Sequence, residues 1–78
     1  MTISKESMQA VGEAIDNASN ELPMHYEVSI LIELGGFRCK LMCPDGEVET
    51  FNYNYVDDSI IEAVARANEI ERNKYEAG

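Results

Sequence analysis

From Tyr26 to Leu34 every second residue is apolar: Tyr26, Val28, Ile30, Ile32 and Leu34 share one parity, and His25, Glu27, Ser29 and Glu33 share the other. A period of two marks a half-buried strand, so the pattern predicts one over about 25–34. Gly35-Gly36 follows, two residues that take positive φ without cost, as a two-residue hairpin requires. Counting outward from that turn predicts a second strand over about 37–43. It sets Leu34 opposite Phe37, Ile32 opposite Cys39, Ile30 opposite Leu41 and Val28 opposite Cys43, with Glu33 facing Arg38 across the polar side. Pro44-Asp45-Gly46 makes the next turn. A two-residue Asp-Gly loop there would aim Phe51 and Tyr53 at the polar side. A three-residue loop with Gly46 left-handed instead puts them opposite Cys39 and Phe37 on the apolar face, and this is the expected form. The third strand then runs over about 47–55.

Outside this meander the apolar period lengthens to three and four. Met8, Val11, Ile15, Ala18 and Leu22 form one narrow stripe, which predicts a helix over about 5–20 with Ser4 as N-cap and Ile3 stapled to Met8. Gly12 inside it costs about 1 kcal/mol relative to alanine and hints at a close packing contact. Leu22-Pro23 ends the helix. Ile60, Ala63, Val64, Ala67 and Ile70 form a second stripe, predicting a helix over about 58–74. Asp57, Asp58 and Ser59 are its candidate caps, and Ser59 with Glu62 fits a capping box. Glu62 with Arg66, and Glu69 with Arg72, are spaced to pair along its surface.

The expected fold is therefore α+β: helix, three-stranded antiparallel meander, helix (αβββα), with both helices on the apolar face as a two-layer sandwich. Seventy-eight residues suit a single domain spanning 1–78, with a core giving roughly 3 to 5 kcal/mol of net stability. An apolar content of 45% is too high for a disordered chain. No apolar run is long enough to span a membrane and no signal pattern opens the chain, which predicts a soluble, cytoplasmic protein. Cys39 and Cys43 lie four residues apart on one strand, about 13 Å, beyond disulfide reach, and are expected to be buried free thiols.

Charge sharpens the picture. Fifteen acidic residues against six basic give a net charge of −9. That density opposes direct binding to nucleic acid or an anionic membrane and favours a basic protein partner. Chemistry is sparse: there is no phosphate loop, nucleophile elbow or metal-ligand spacing, and no cofactor is expected. His25 lacks a partner in register for acid-base work, burial disfavours the thiolates of Cys39 and Cys43, and Asp45 is explained by its turn. The expectation is a protein that is not an enzyme.

Two surface features remain. Carboxylates of the first helix (Glu6, Glu13, Asp16), with Glu47, Glu49, Asp57 and Asp58, suggest an acidic surface complementary to a positively charged nucleic-acid channel. On the open sheet face, the expected register puts Ser29, Met42 and Val48 in a row with Leu31 diagonal to them, a candidate homodimer contact. In size, acidity, helix-meander-helix order and want of catalytic motifs, the whole chain resembles as a type the small phage-encoded anti-defence proteins, anti-CRISPR inhibitors in particular. The resemblance implies a DNA mimic that blocks a basic channel in the host cytosol. The alternatives are a self-associating accessory module that dimerises through Leu31, Met42 and Val48, and a toxin-immunity protein with the same acidic logic.

Overall fold

The computed structural model describes residues 5–76, with the side chains of 5–7 and 76 outside that description. Five elements follow in order: α1 (Lys5–Glu21), β1 (Glu27–Glu33), β2 (Gly36–Met42), β3 (Val48–Phe51) and α2 (Val56–Glu76). The strands form one antiparallel sheet in the order β1-β2-β3, and both helices lie on its apolar face. The αβββα order and the two-layer α+β arrangement are those the hydrophobic pattern predicts. The Ser4 cap and the Ile3 staple lie outside the described residues.

Hairpin register differs from the expectation by two residues. Glu33 pairs with Gly36, Ile32 with Phe37, Ile30 with Cys39 and Val28 with Leu41. Leu34 and Gly35 form the turn, and of the two glycines Gly35 takes positive φ (87°) while Gly36 is the first residue of β2. A negative φ followed by a positive one is the type II pattern, which needs only one glycine. Because the slip is even, every residue keeps its face. The second turn forms as expected: Gly46 is left-handed (φ 95°), its N–H donates to the Cys43 carbonyl at 3.0 Å, and the Cys43 N–H donates to the Glu47 carbonyl at 2.9 Å. Asp45 Oδ1 accepts the Glu47 N–H at 3.0 Å, the local bond that suits Asp to turns. Phe51 sits opposite Cys39 as predicted.

Both ends of the meander are shorter than the pattern implies. His25 adopts φ 72°, and the Tyr26 N–H donates to the Pro23 carbonyl at 3.2 Å, so a turn precedes β1 and the strand starts at Glu27. At the other end β3 stops at Phe51. Tyr53 lies past its end and is exposed, instead of facing Phe37. Helix α2 begins at Val56, two residues before the expected start near Asp58. Ser59 is fully buried and is no cap: its Oγ donates back to the Tyr55 carbonyl at 3.1 Å. Asp57 and Asp58 occupy the first turn, where the helix dipole favours carboxylates.

One cluster joins Leu41 and Cys39 of β2 to Tyr26, Ala63 and Ala67. A second joins Ala14 of α1 to Ile60 and Val64 of α2. The buried stripe of α2 is thus the predicted one. That of α1 is rotated: Ala14 is buried, whereas Met8 and Ile15 are both 56% exposed. Alanine lets α1 lie close against α2, and Ile15 is left over the groove beside β1.

Gly12 is exposed and a methyl group built on it would meet nothing within 4 Å, so the close contact anticipated there does not exist. Gly12→Ala should stabilise the protein by about 0.5 to 1 kcal/mol. Urea unfolding followed by circular dichroism tests this, and a loss of stability would contradict it.

Candidate functional site

The relative direction of the helices decides where the acidic side chains gather. Ala14 packs with Ile60 and Val64, and Asn68 Nδ2 donates to the Glu21 carbonyl at 3.3 Å. Residues 14 to 21 of α1 therefore run alongside 60 to 68 of α2 in the same direction, and the two helices are parallel. Both N-terminal halves share one end of the layer. Glu13, at the middle of α1, and Asp16, three residues beyond it, are exposed, while exposed Asp58 and half-buried Asp57 stand in the first turn of α2. At a rise of about 1.5 Å per residue these four carboxylates lie within about 9 Å along the common axis direction. Glu6 is on α1, with its side chain outside the described residues.

Two of the predicted acidic residues belong elsewhere. Glu47 follows the turn between β2 and β3, and Glu49 lies opposite Leu41 on the helix-covered face. Glu49 is no free carboxylate: Arg66 Nε donates to its Oε1 at 3.0 Å and its Oε2 at 3.2 Å. Arg66 Nη1 also reaches Glu69 at 2.9 Å. Hydrogen bonding to Glu49 is the main cause holding the Arg66 guanidinium above its ordinary pKa. Arg66 is thus taken by Glu49 and Glu69, not by Glu62, and Lys74 pairs with Glu71 at 3.4 Å. With Arg38 bonded to Glu33 at 3.1 Å, the ion pairs among the described residues use Glu33, Glu49, Glu69 and Glu71. None uses Glu13, Asp16, Asp57 or Asp58.

The proposed patch on the open sheet face is not assembled. Met42 and Val48 are directly opposite, as expected, but the register slip places Glu27 beyond Met42 and sets Leu31 against Arg38. Leu31 is then separated from Met42 by the row holding Ser29 and Lys40, about 13 Å along the strands.

The side chains of chemically versatile type are quiet. His25 is exposed. Cys39 and Cys43 are both free, Cys39 fully buried and Cys43 only half-buried. Burial raises the pKa of both thiols, and Asp45, Glu49 and Glu47 raise that of Cys43 further. Neither has the lowered pKa of a reactive cysteine. Tyr26 is buried with its hydroxyl unpartnered. Burial is the main cause raising its pKa, and the negative charge of nearby Glu71 adds to it. No group of three metal-ligating side chains occurs among the described residues, and none of their helices is long and apolar enough to cross a membrane.

What sequence reasoning missed is apolar. Ile32 is 87% exposed and Leu34 fully so, although both lie on the face that the pattern assigns to the core. They extend past β3 and α2, at the free tip of the β1–β2 hairpin. The early end of β3, at the polar Asn52 and Asn54, was the one signal in the sequence that could have revealed it. No known family model matches the chain, and no curated protein or solved structure matches it significantly.

Proposed function

We propose that this protein is a non-enzymatic acidic inhibitor that occupies a positively charged, nucleic-acid-binding surface of another protein. The observation that carries this reading is that Glu13 and Asp16 of α1 and Asp57 and Asp58 of the parallel α2 have no ion-pair partners among the described residues, on a chain of net charge −9. Uncompensated negative charge on so small a surface costs energy, and a cationic partner surface relieves that cost. Blockade is steric and electrostatic. Charge accelerates encounter and selects the partner, while a few desolvated contacts set its residence time. An anti-CRISPR protein is the version suggested by the chain's general type, and a toxin-immunity protein would use the same surface on a different target.

The test starts with the protein immobilised in bacterial lysate and washed with low and then high salt. Proteins released by salt are assayed for nucleic-acid binding with and without added inhibitor. A basic nucleic-acid-binding protein is expected, its binding blocked by the native chain. The variant Glu13→Gln/Asp16→Asn/Asp57→Asn/Asp58→Asn should block about tenfold less well or worse. Equal potency in that variant would remove these four carboxylates as the site, and capture insensitive to salt would remove the electrostatic mechanism.

A further inference from the structure

Among the described residues the outer edge of β1 is open. It is the first strand of the sheet, with β2 on one side only. The turn that closes on Glu33 and Gly36 directs the hydrogen-bonding groups of Glu27, Ser29, Leu31 and Glu33 toward β2, so those of Val28, Ile30 and Ile32 point outward. Natural edges are usually blunted by proline, a bulge or inward-pointing charge. From 27 to 33 this one has neither proline nor bulge, and its only charges are at its two ends. Beside it runs an apolar groove of about 370 Å³, lined by Val28 and Ile30 of β1, Ile15, Ala18 and Leu22 of α1, and Ile60. Past the groove, on the same face, stand the uncovered Ile32 and Leu34.

We propose that a second copy of this chain is the occupant: two protomers pair antiparallel along β1 about a two-fold axis at Leu31, making one six-stranded sheet. In this register Ile32 of one protomer lies opposite Ile30 of its partner, and Leu34 opposite Val28. The two exposed side chains of each protomer thus meet the two strand residues that line the groove of the other. Such a contact is isologous, and both halves are satisfied at once. Glu33 falls opposite Ser29, and Leu31 opposite its own copy. Pairing about Ile30 instead would set Glu27 against Glu33 twice and leave Leu34 outside, so like charge and lost burial select the axis at Leu31.

Exposure supports the same occupant: Ile32 is 87% exposed and Leu34 fully so in the protomer, and two-fold pairing along β1 sets both against the partner's apolar groove. This contact lies on the sheet edge and stands independently of what the helical carboxylates bind.

Salt separates the two surfaces. Each protomer carries −9, so repulsion opposes dimerisation and added salt should strengthen it, whereas salt weakens capture of a basic partner. Sedimentation equilibrium from micromolar to millimolar protein should show the mass doubling, at lower concentration in high salt. Ile32→Asp/Leu34→Asp should remain monomeric throughout with an unchanged circular dichroism spectrum, since both side chains are exposed in the protomer. In a Cys43→Ser background, Leu31→Cys should form an intermolecular disulfide on mild oxidation. Ser29→Cys should not, because its own copies stand about 13 Å apart in this register. A native chain monomeric at millimolar concentration in high salt would overturn the proposal. So would a dimer that survives the double aspartate variant, or equal cross-linking by the two cysteines.

Discussion

Leu41→Ala should leave little folded protein at room temperature. Leu41 has no exposed surface and, with Cys39 and Ser59, is among the largest side chains that are wholly enclosed. It sits on the middle strand where Tyr26, Ala63 and Ala67 converge. Truncating a leucine in such a place removes its transfer free energy and leaves a cavity, typically about 2 to 5 kcal/mol together. A domain of this size has roughly 3 to 5 kcal/mol in total. Here the margin is thin because three of the buried apolar residues are alanines and one is a cysteine. Urea titration should show the midpoint of Leu41→Ala moving close to zero denaturant, while Leu41→Met, which keeps the volume, costs about 1.5 kcal/mol or less. A loss below about 1 kcal/mol for the alanine variant would mean that the site collapses around the gap.

The faces of the sheet were legible in the sequence and the partners across it were not, for a single reason. Side-chain parity survives an even shift, so a two-residue slip moves no residue from core to solvent. Both registers set apolar beside apolar along Val28, Ile30 and Ile32, and hydrophobic pattern alone does not separate them. The turn decides, and Gly35-Gly36 contains two glycines where a type II turn uses one. That choice moved Leu34 into the turn, set Glu27 beside Met42 and dispersed the open-face patch. In α1 the stripe was assigned to Met8, Val11, Ile15, Ala18 and Leu22, although the residue buried against the parallel neighbour α2 is Ala14. The acidity was plain from composition. Which carboxylates are already answered was not, since Arg66 and Glu49 lie 17 residues apart and meet only because α2 covers β3.

The same economy of volume that makes Leu41 indispensable makes the alanines of α2 irreplaceable by anything larger. Ala63 and Ala67 are four residues apart, one turn of one face, and neither has any exposed surface. Their methyl groups are what α2 presents to Leu41 and Cys39, so the separation between helix and sheet is set by the smallest apolar side chain with a fixed geometry. Ala67→Leu would favour the helix no less than alanine does by more than a few tenths of a kcal/mol, and it is more hydrophobic. Pattern alone would rank it neutral or stabilising. Packing predicts the opposite: three added carbons have no void to enter, and forcing α2 off the strands costs about 1 to 3 kcal/mol. That displacement would also part Arg66 from Glu49, which bridge α2 and β3. In urea unfolding Ala67→Leu should therefore lose stability, whereas Ala65→Leu, exposed at the open groove between α1 and α2 where a larger side chain has room, should stay within about 0.5 kcal/mol of the native chain. Equal stability of the two variants would show that α2 is not held against the sheet by its alanines.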